Sequence, residues 1–150
     1  MKTRNMVSYV LVVWMMLIAI GCAKQTINTT SYATIKTAAT VYYSVMEVAA
    51  DMTAKGDMSE VQYEKIATIA EIYRKAGRVA TVTSQAYIET LDKKMSNDRE
   101  LDPTTDTELV DAKMAASAAV DALWKNYDVL FSLVAEMGFL DNFPILKFIK

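Results

Sequence analysis

Three segments of the chain carry apolar residues at helical spacing. In the first, from about Tyr32 to Lys55, Ile35, Ala38, Tyr42, Val45, Ala49 and Met52 recur at alternating steps of three and four. Such spacing lines one face of a helix. Gly56-Asp57 ends the pattern. The second segment opens on Ser59-Glu60-Val61-Gln62. It predicts a capping box, in which the Ser59 hydroxyl accepts from the Gln62 N–H and Gln62 reaches back. Met58 and Tyr63 flank this box as a hydrophobic staple. Ile66, Ile69, Tyr73, Ala76, Ala80, Tyr87 and Leu91 continue the stripe, and the predicted end is near Lys94. Asp102 as N-cap with Pro103 at the first helical position opens the third segment; capping by Thr105 with Glu108, one turn later, is the alternative. Its stripe is Leu109, Ala112, Ala116, Ala119, Leu123, Tyr127, Leu130, Val134 and Met137, with Gly138 as the stop.

Three amphipathic helices joined by short connections predict an all-α fold, an antiparallel three-helix bundle over residues 32–138. At 1.5 Å per residue the second and third helices are each roughly 50 Å long and the first roughly 35 Å. Its core is rich in Ala and Tyr, and tyrosines can place a ring inside and a hydroxyl at the rim. Gly77, Ala80 and Ser84 form a small-residue stripe on the second helix. Gly77 reads either as a close contact with a neighbouring helix or second protomer, or as a tolerated glycine, the commoner case. A glycine there costs about 1 kcal/mol relative to Ala.

The N-terminus follows a different pattern. Lys2 and Arg4 precede an apolar stretch of 15 residues from Met6 to Ile20, and small residues follow. A basic start, a short apolar stretch and a small-residue cleavage point make a secretory signal. The stretch is shorter than the roughly 20 residues of a transmembrane helix. The single cysteine of the chain stands at the cleavage point, in Ala19-Ile20-Gly21-Cys22. Residues 1–23 therefore resemble the signal peptide and lipobox of bacterial prolipoproteins, with Ala19 where leucine is commonest. The resemblance implies cleavage between Gly21 and Cys22, a diacylglyceryl thioether on Cys22, and acylation, palmitate included, of the new amino group. Two or three acyl chains anchor stably where one alone is marginal. The alternative is an uncleaved signal anchor. Either way Lys2 and Arg4 stay inside, and the remainder lies outside the cytoplasmic membrane. Ala23-Lys24 after the cysteine, rather than Asp, favours the periplasmic face of the outer membrane in a Gram-negative cell. The expected organisation is thus signal peptide 1–21, lipidated Cys22 and polar tether 22–31, bundle 32–138 and tail 139–150.

Composition narrows the function. Removing residues 1–21 takes Lys2 and Arg4 and no acid, leaving 14 basic and 18 acidic side chains, net −4. That balance argues against nucleic acid as a partner. The chain has no histidine, which excludes His-based triads and His metal sites. One cysteine excludes an internal disulfide. With about 129 residues the domain buries roughly two-thirds of its unfolded surface, enough for a core without a metal. Glu47 with Asp51, and Glu60 with Glu64, are carboxylate pairs on polar faces, where a solvated surface is the commoner role. No P-loop, dinucleotide fingerprint, nucleophile elbow or calcium loop occurs. No enzyme, cofactor or metal site is expected.

The last twelve residues are unusually apolar: Phe139, Leu140, Phe143, Ile145, Leu146, Phe148 and Ile149 are seven of them. Something must cover them. Either the tail folds back over the end of the bundle, or these seven residues dock a partner, or they meet a membrane. The expected role is a lipid-anchored helical envelope protein, structural or protein-interacting, with an envelope protein or a second copy as partner. The alternative is a bundle binding a small apolar ligand or lipid, with Tyr42, Tyr43, Tyr63, Tyr73, Tyr87, Trp124 and Tyr127 around an internal cavity.

Overall fold

The computed structural model describes residues 37–97 and 101–147. Those residues form an all-α three-helix bundle without strands. Helix α1 covers 37–55, α2 Glu60–Asn97 and α3 Thr107–Glu136. Two short 3₁₀ turns, Leu140–Asn142 and Pro144–Leu146, follow. Ile35 and the expected start of the first helix lie outside the described residues.

Each terminus has a local cause. Gly56 adopts φ +81° and ends α1; its N–H donates to the Thr53 carbonyl and that of Asp57 to the Met52 carbonyl. This pair of reversed bonds satisfies carbonyls that a helix end leaves open, and glycine reaches the left-handed region without a Cβ penalty. The capping box at α2 forms as the spacing predicts: the Gln62 N–H donates to Ser59 Oγ at 3.3 Å and the Ser59 N–H to Gln62 Oε1 at 3.0 Å. Met58, just before it, is buried. Helix α2 runs three residues beyond the expected end, to Asn97. Gly138 stops α3 at φ +77°, with its own N–H on the Ala135 carbonyl and that of Phe139 on the Val134 carbonyl.

The start of α3 differs from both expectations. Asp106 is the N-cap, and its carboxylate accepts from the Leu109 N–H at 3.0 Å. Asp102 instead holds a turn: the Thr104 N–H donates to Asp102 Oδ1 and the Thr105 N–H to the Asp102 carbonyl. Pro103 occupies the second position of that turn, whose φ is also the φ of a first helical residue. A tertiary contact distinguishes the two. Lys94 Nζ donates to both Asp106 oxygens at 2.8 Å, and also pairs with Glu108. The lysine ties the end of α2 to the cap of α3.

The helices pack antiparallel around a graded core. At one end lie the large side chains Tyr73, Tyr127, Leu130, Phe143 and Leu146, all buried. At mid-length the contacts are small. Gly77 is buried, and a Cβ built on it would stand 2.8 Å from the Ala38 Cβ and 3.8 Å from Leu123 Cδ1. Of its two readings, close contact with a neighbouring helix therefore holds, and the neighbour is α1. Beyond it a smaller cluster of Tyr87, Leu91, Leu109 and Ala116 joins α2 to α3.

The tail closes the wide end. Phe143 and Leu146 have no exposed surface, and Phe139, Leu140 and Ile145 pack against the same core. The Tyr127 hydroxyl donates to the Leu146 carbonyl, and Lys147 pairs with Asp141.

Two consequences are measurable. Phe143→Ala should lower unfolding free energy in chemical denaturation by about 3–5 kcal/mol, the range for a fully buried aromatic. A loss below 1 kcal/mol would mean that the tail does not belong to the core. Gly77→Ala gains about 1 kcal/mol of helix propensity but overpacks a seam where backbones must separate, at about 1–3 kcal/mol. It should destabilise on balance, and Ala38→Gly in the same chain should recover part of the loss. A double-mutant cycle without coupling would refute the close approach.

Candidate functional site

Of the residues singled out by the sequence, Gly21, Cys22, Phe148 and Ile149 lie outside the described residues. The remaining tail residues divide. Phe143 and Leu146 are core, so they offer no surface to a partner, and their expected docking role is corrected on that ground. Phe139, Leu140 and Ile145 are half-buried against the bundle. Asp141, Asn142 and Pro144 are what these turns expose. The physical reason is the short reach of the tail after Gly138: the turn it makes brings Leu146 onto the Tyr127 hydroxyl.

Several titratable groups of the described residues form ion pairs. Glu47, Asp51, Glu60 and Glu64 are exposed, and Asp51 meets Lys55 one turn on. Arg74 makes two bonds to Glu71 and lies over the Tyr42 ring, 5.2 Å from its centroid. Hydrogen bonding to Arg74 lowers the Glu71 pKa, and hydrogen bonding to Lys147 lowers that of Asp141. Burial pushes the Tyr73 and Tyr127 phenols above their ordinary range. They are neutral at physiological pH, so neither serves as a base. Among the described residues, no group of three or more Cys, Asp or Glu side chains is placed to hold a metal ion.

The aromatics are packed against one another. Tyr127 sits 6.0 Å from Tyr73, 5.8 Å from Trp124 and 6.4 Å from Phe131 between ring centroids. Tyr42 meets Tyr43 edge to face, and Tyr87 lies in the second cluster. Tyr63 flanks the main core. A concavity among the described residues lies elsewhere. It is an open groove of about 380 Å³ between α2 and α3, lined by Ile69, Asp128, Val129, Ser132, Leu133 and Glu136. No aromatic ring lines it.

This groove belongs to a face that lies beside the core stripes. Val61, Ile72 and Val79 on α2 and Val129 on α3 are large, apolar and exposed. On α2 they extend a second stripe beside the core stripe: Ile69, Ile72, Ala76, Val79, Thr83, Ala86 and Thr90, again at steps of three and four. On α3 the matching positions are Ala115, Ala118, Ala122, Asn126, Val129 and Leu133. The signal was present as spacing. Ala and Thr made it look like a broad flank of the core rather than a face in its own right.

Comparison with protein-family models, with curated proteins and with solved structures finds no match to this chain. No helix of the described residues is long and apolar enough to cross a membrane.

The Lys94–Asp106 tie predicts a pH dependence. Hydrogen bonding to Lys94, then to the Leu109 N–H, lowers the Asp106 pKa from its ordinary 3.8. A carboxyl depressed in the folded state stabilises it above the unfolded pKa, and that contribution fades as pH falls through the folded value. Stability should therefore decline below about pH 4, near the unfolded carboxylate pKa. Asp106→Asn keeps a capping side chain but removes this titration, so it should be less stable at pH 7 and flatter between pH 4 and 2. Urea midpoints across that range measure it; parallel curves for the two proteins would contradict the assignment.

Proposed function

We propose that the chain is a lipid-anchored helical module of a bacterial cell envelope, with a structural or protein-interaction role. The observation that carries this reading is the position of the one sulfhydryl. Cys22 follows Ala19-Ile20-Gly21 at the end of a basic-then-apolar leader. Acylation there supplies the affinity: each buried CH₂ contributes about 0.8 kcal/mol, and more than one chain is needed for stable anchoring. The body behind the tether supports an interaction role over a chemical one. Its perturbed carboxyls are held in local ion pairs or turns, and its buried phenols are packed in the core.

Anchoring at Cys22 assigns an orientation to an upright bundle. Helix α1 leads away from the membrane, α2 returns, and α3 leads away again. The end closed by Met58, Phe143 and Leu146 is then distal. With Ala23-Lys24 after the anchor, the favoured location is the periplasmic face of an outer membrane.

Metabolic labelling with a fatty-acid analogue in a bacterial host should mark the full chain and leave Cys22→Ala unmarked. Mass spectrometry should find the mature protein starting at residue 22. Equal labelling of both, or a free thiol on a chain still starting at Met1, would overturn the proposal.

A further inference from the structure

We infer that the segment 22–36 of this chain docks along the far half of the α2–α3 pair, continuing α1 as the third layer, so that the lipid anchor meets the body directly and not through a free tether. The described part of α1 reaches Gly77, against which its Ala38 packs. Helix α2 continues from there to Asn97, and α3 starts beside that end, at Thr107. Steps of seven identify the side of α2 that faces α1. Arg74 stacks on Tyr42 of α1, and Thr81, Ile88 and Met95 follow it at that interval. Gly77 is followed in the same way by Ser84 and Leu91. Seven residues are nearly two full turns, so these side chains stay on the α1 flank. Thr81, Ile88 and Met95 are half-buried there, and Ser84 and Leu91 are only 2% and 7% exposed. Two helices cover a shared floor from two sides. A serine and a leucine closed to this degree need a third, and the described part of α1 stops at 37.

The register picks the occupant. Helices α1 and α2 are antiparallel, with Ala38 at Gly77. Counting on by equal steps, Ile35 comes level with Ala80, Ser31 with Ser84, Ile27 with Ile88 and Cys22 with Lys93. Ile35, Ser31 and Ile27 thus continue the buried positions Ala38, Val41 and Val45 of α1 at helical steps. On the anchor reading the mature chain starts at Cys22. Its residues 22–36, in helical form, span about 22 Å and end about one turn short of the end of α2. Thr26, Asn28, Thr29 and Thr30 are poor helix formers, so contact with α2 and α3 is what holds the segment in place. Charge permits this seat without deciding it. Lys24 comes level with Leu91, next to Asp92 and about one turn from Lys113 of α3; Lys36 comes level with both Arg78 and Asp121.

The test is hydrogen exchange read by mass spectrometry on the full chain purified in detergent micelles. Amides of 27–36 should exchange at least tenfold more slowly than in a free peptide of the same sequence. Ile88→Asp should abolish that protection and leave the protection of 41–52 intact. Ala86→Asp, half a turn away on the exposed side of α2, should change neither. Should Ile88→Asp unfold the body, a chain with Ser31→Cys and Ser84→Cys replaces it. On oxidation that chain should trap a disulfide, and one with Ser31→Cys and Ala86→Cys should not. Peptide-like exchange over 27–36, protection indifferent to Ile88→Asp, or equal trapping of the two cysteine pairs would each overturn the inference. Cys22→Ala should keep the protection of 27–36, so a failure of the anchor and a failure of the docking are read separately.

Discussion

A tyrosine hydroxyl inside an apolar core governs the shape of this bundle. The Tyr127 ring is almost wholly buried, and its oxygen has to be satisfied where water does not reach. An unsatisfied buried hydroxyl costs about 1–3 kcal/mol. The acceptor is the carbonyl of Leu146, 19 residues later. Meeting it requires α3 to stop, the chain to reverse at Gly138, and the tail to lie across the open end. Phe143 and Leu146 then become core rather than surface. The same end holds Tyr73 and Phe131, whose bulk keeps the helices apart. Towards Gly77 the side chains shrink and α1 meets α2 methyl against backbone. The taper from aromatic to glycine explains why one end needs a plug and mid-length needs none.

Much of this was legible as spacing. The core stripes of α2 and α3, the Ser59–Gln62 box and the Gly138 stop all follow from local rules, because each depends on residues within five positions of one another. The misread features depend on residues farther apart. Asp102 and Asp106 are equally good caps in isolation; Lys94, twelve residues before Asp106, decides between them. Gly77 looks tolerated until Ala38 is placed against it. The tail is ambiguous for the same reason: nothing near it in sequence says that a tyrosine in α3 lacks an acceptor. Of the candidate site, the seven tail residues were visible as apolar excess, but which of them face inward was set by tertiary closure. The second α2 stripe was visible too, yet Val, Ala and Thr at helical spacing describe a core flank and an interface alike.

The ion pairs on the surface of the described residues are local. They join residues three or four apart on one helix, or close a loop, as Lys94 and Lys147 do. Exposed pairs of this kind contribute little each. They hold helix ends and turns in place, as Lys94 does for the α3 cap and Lys147 for the tail.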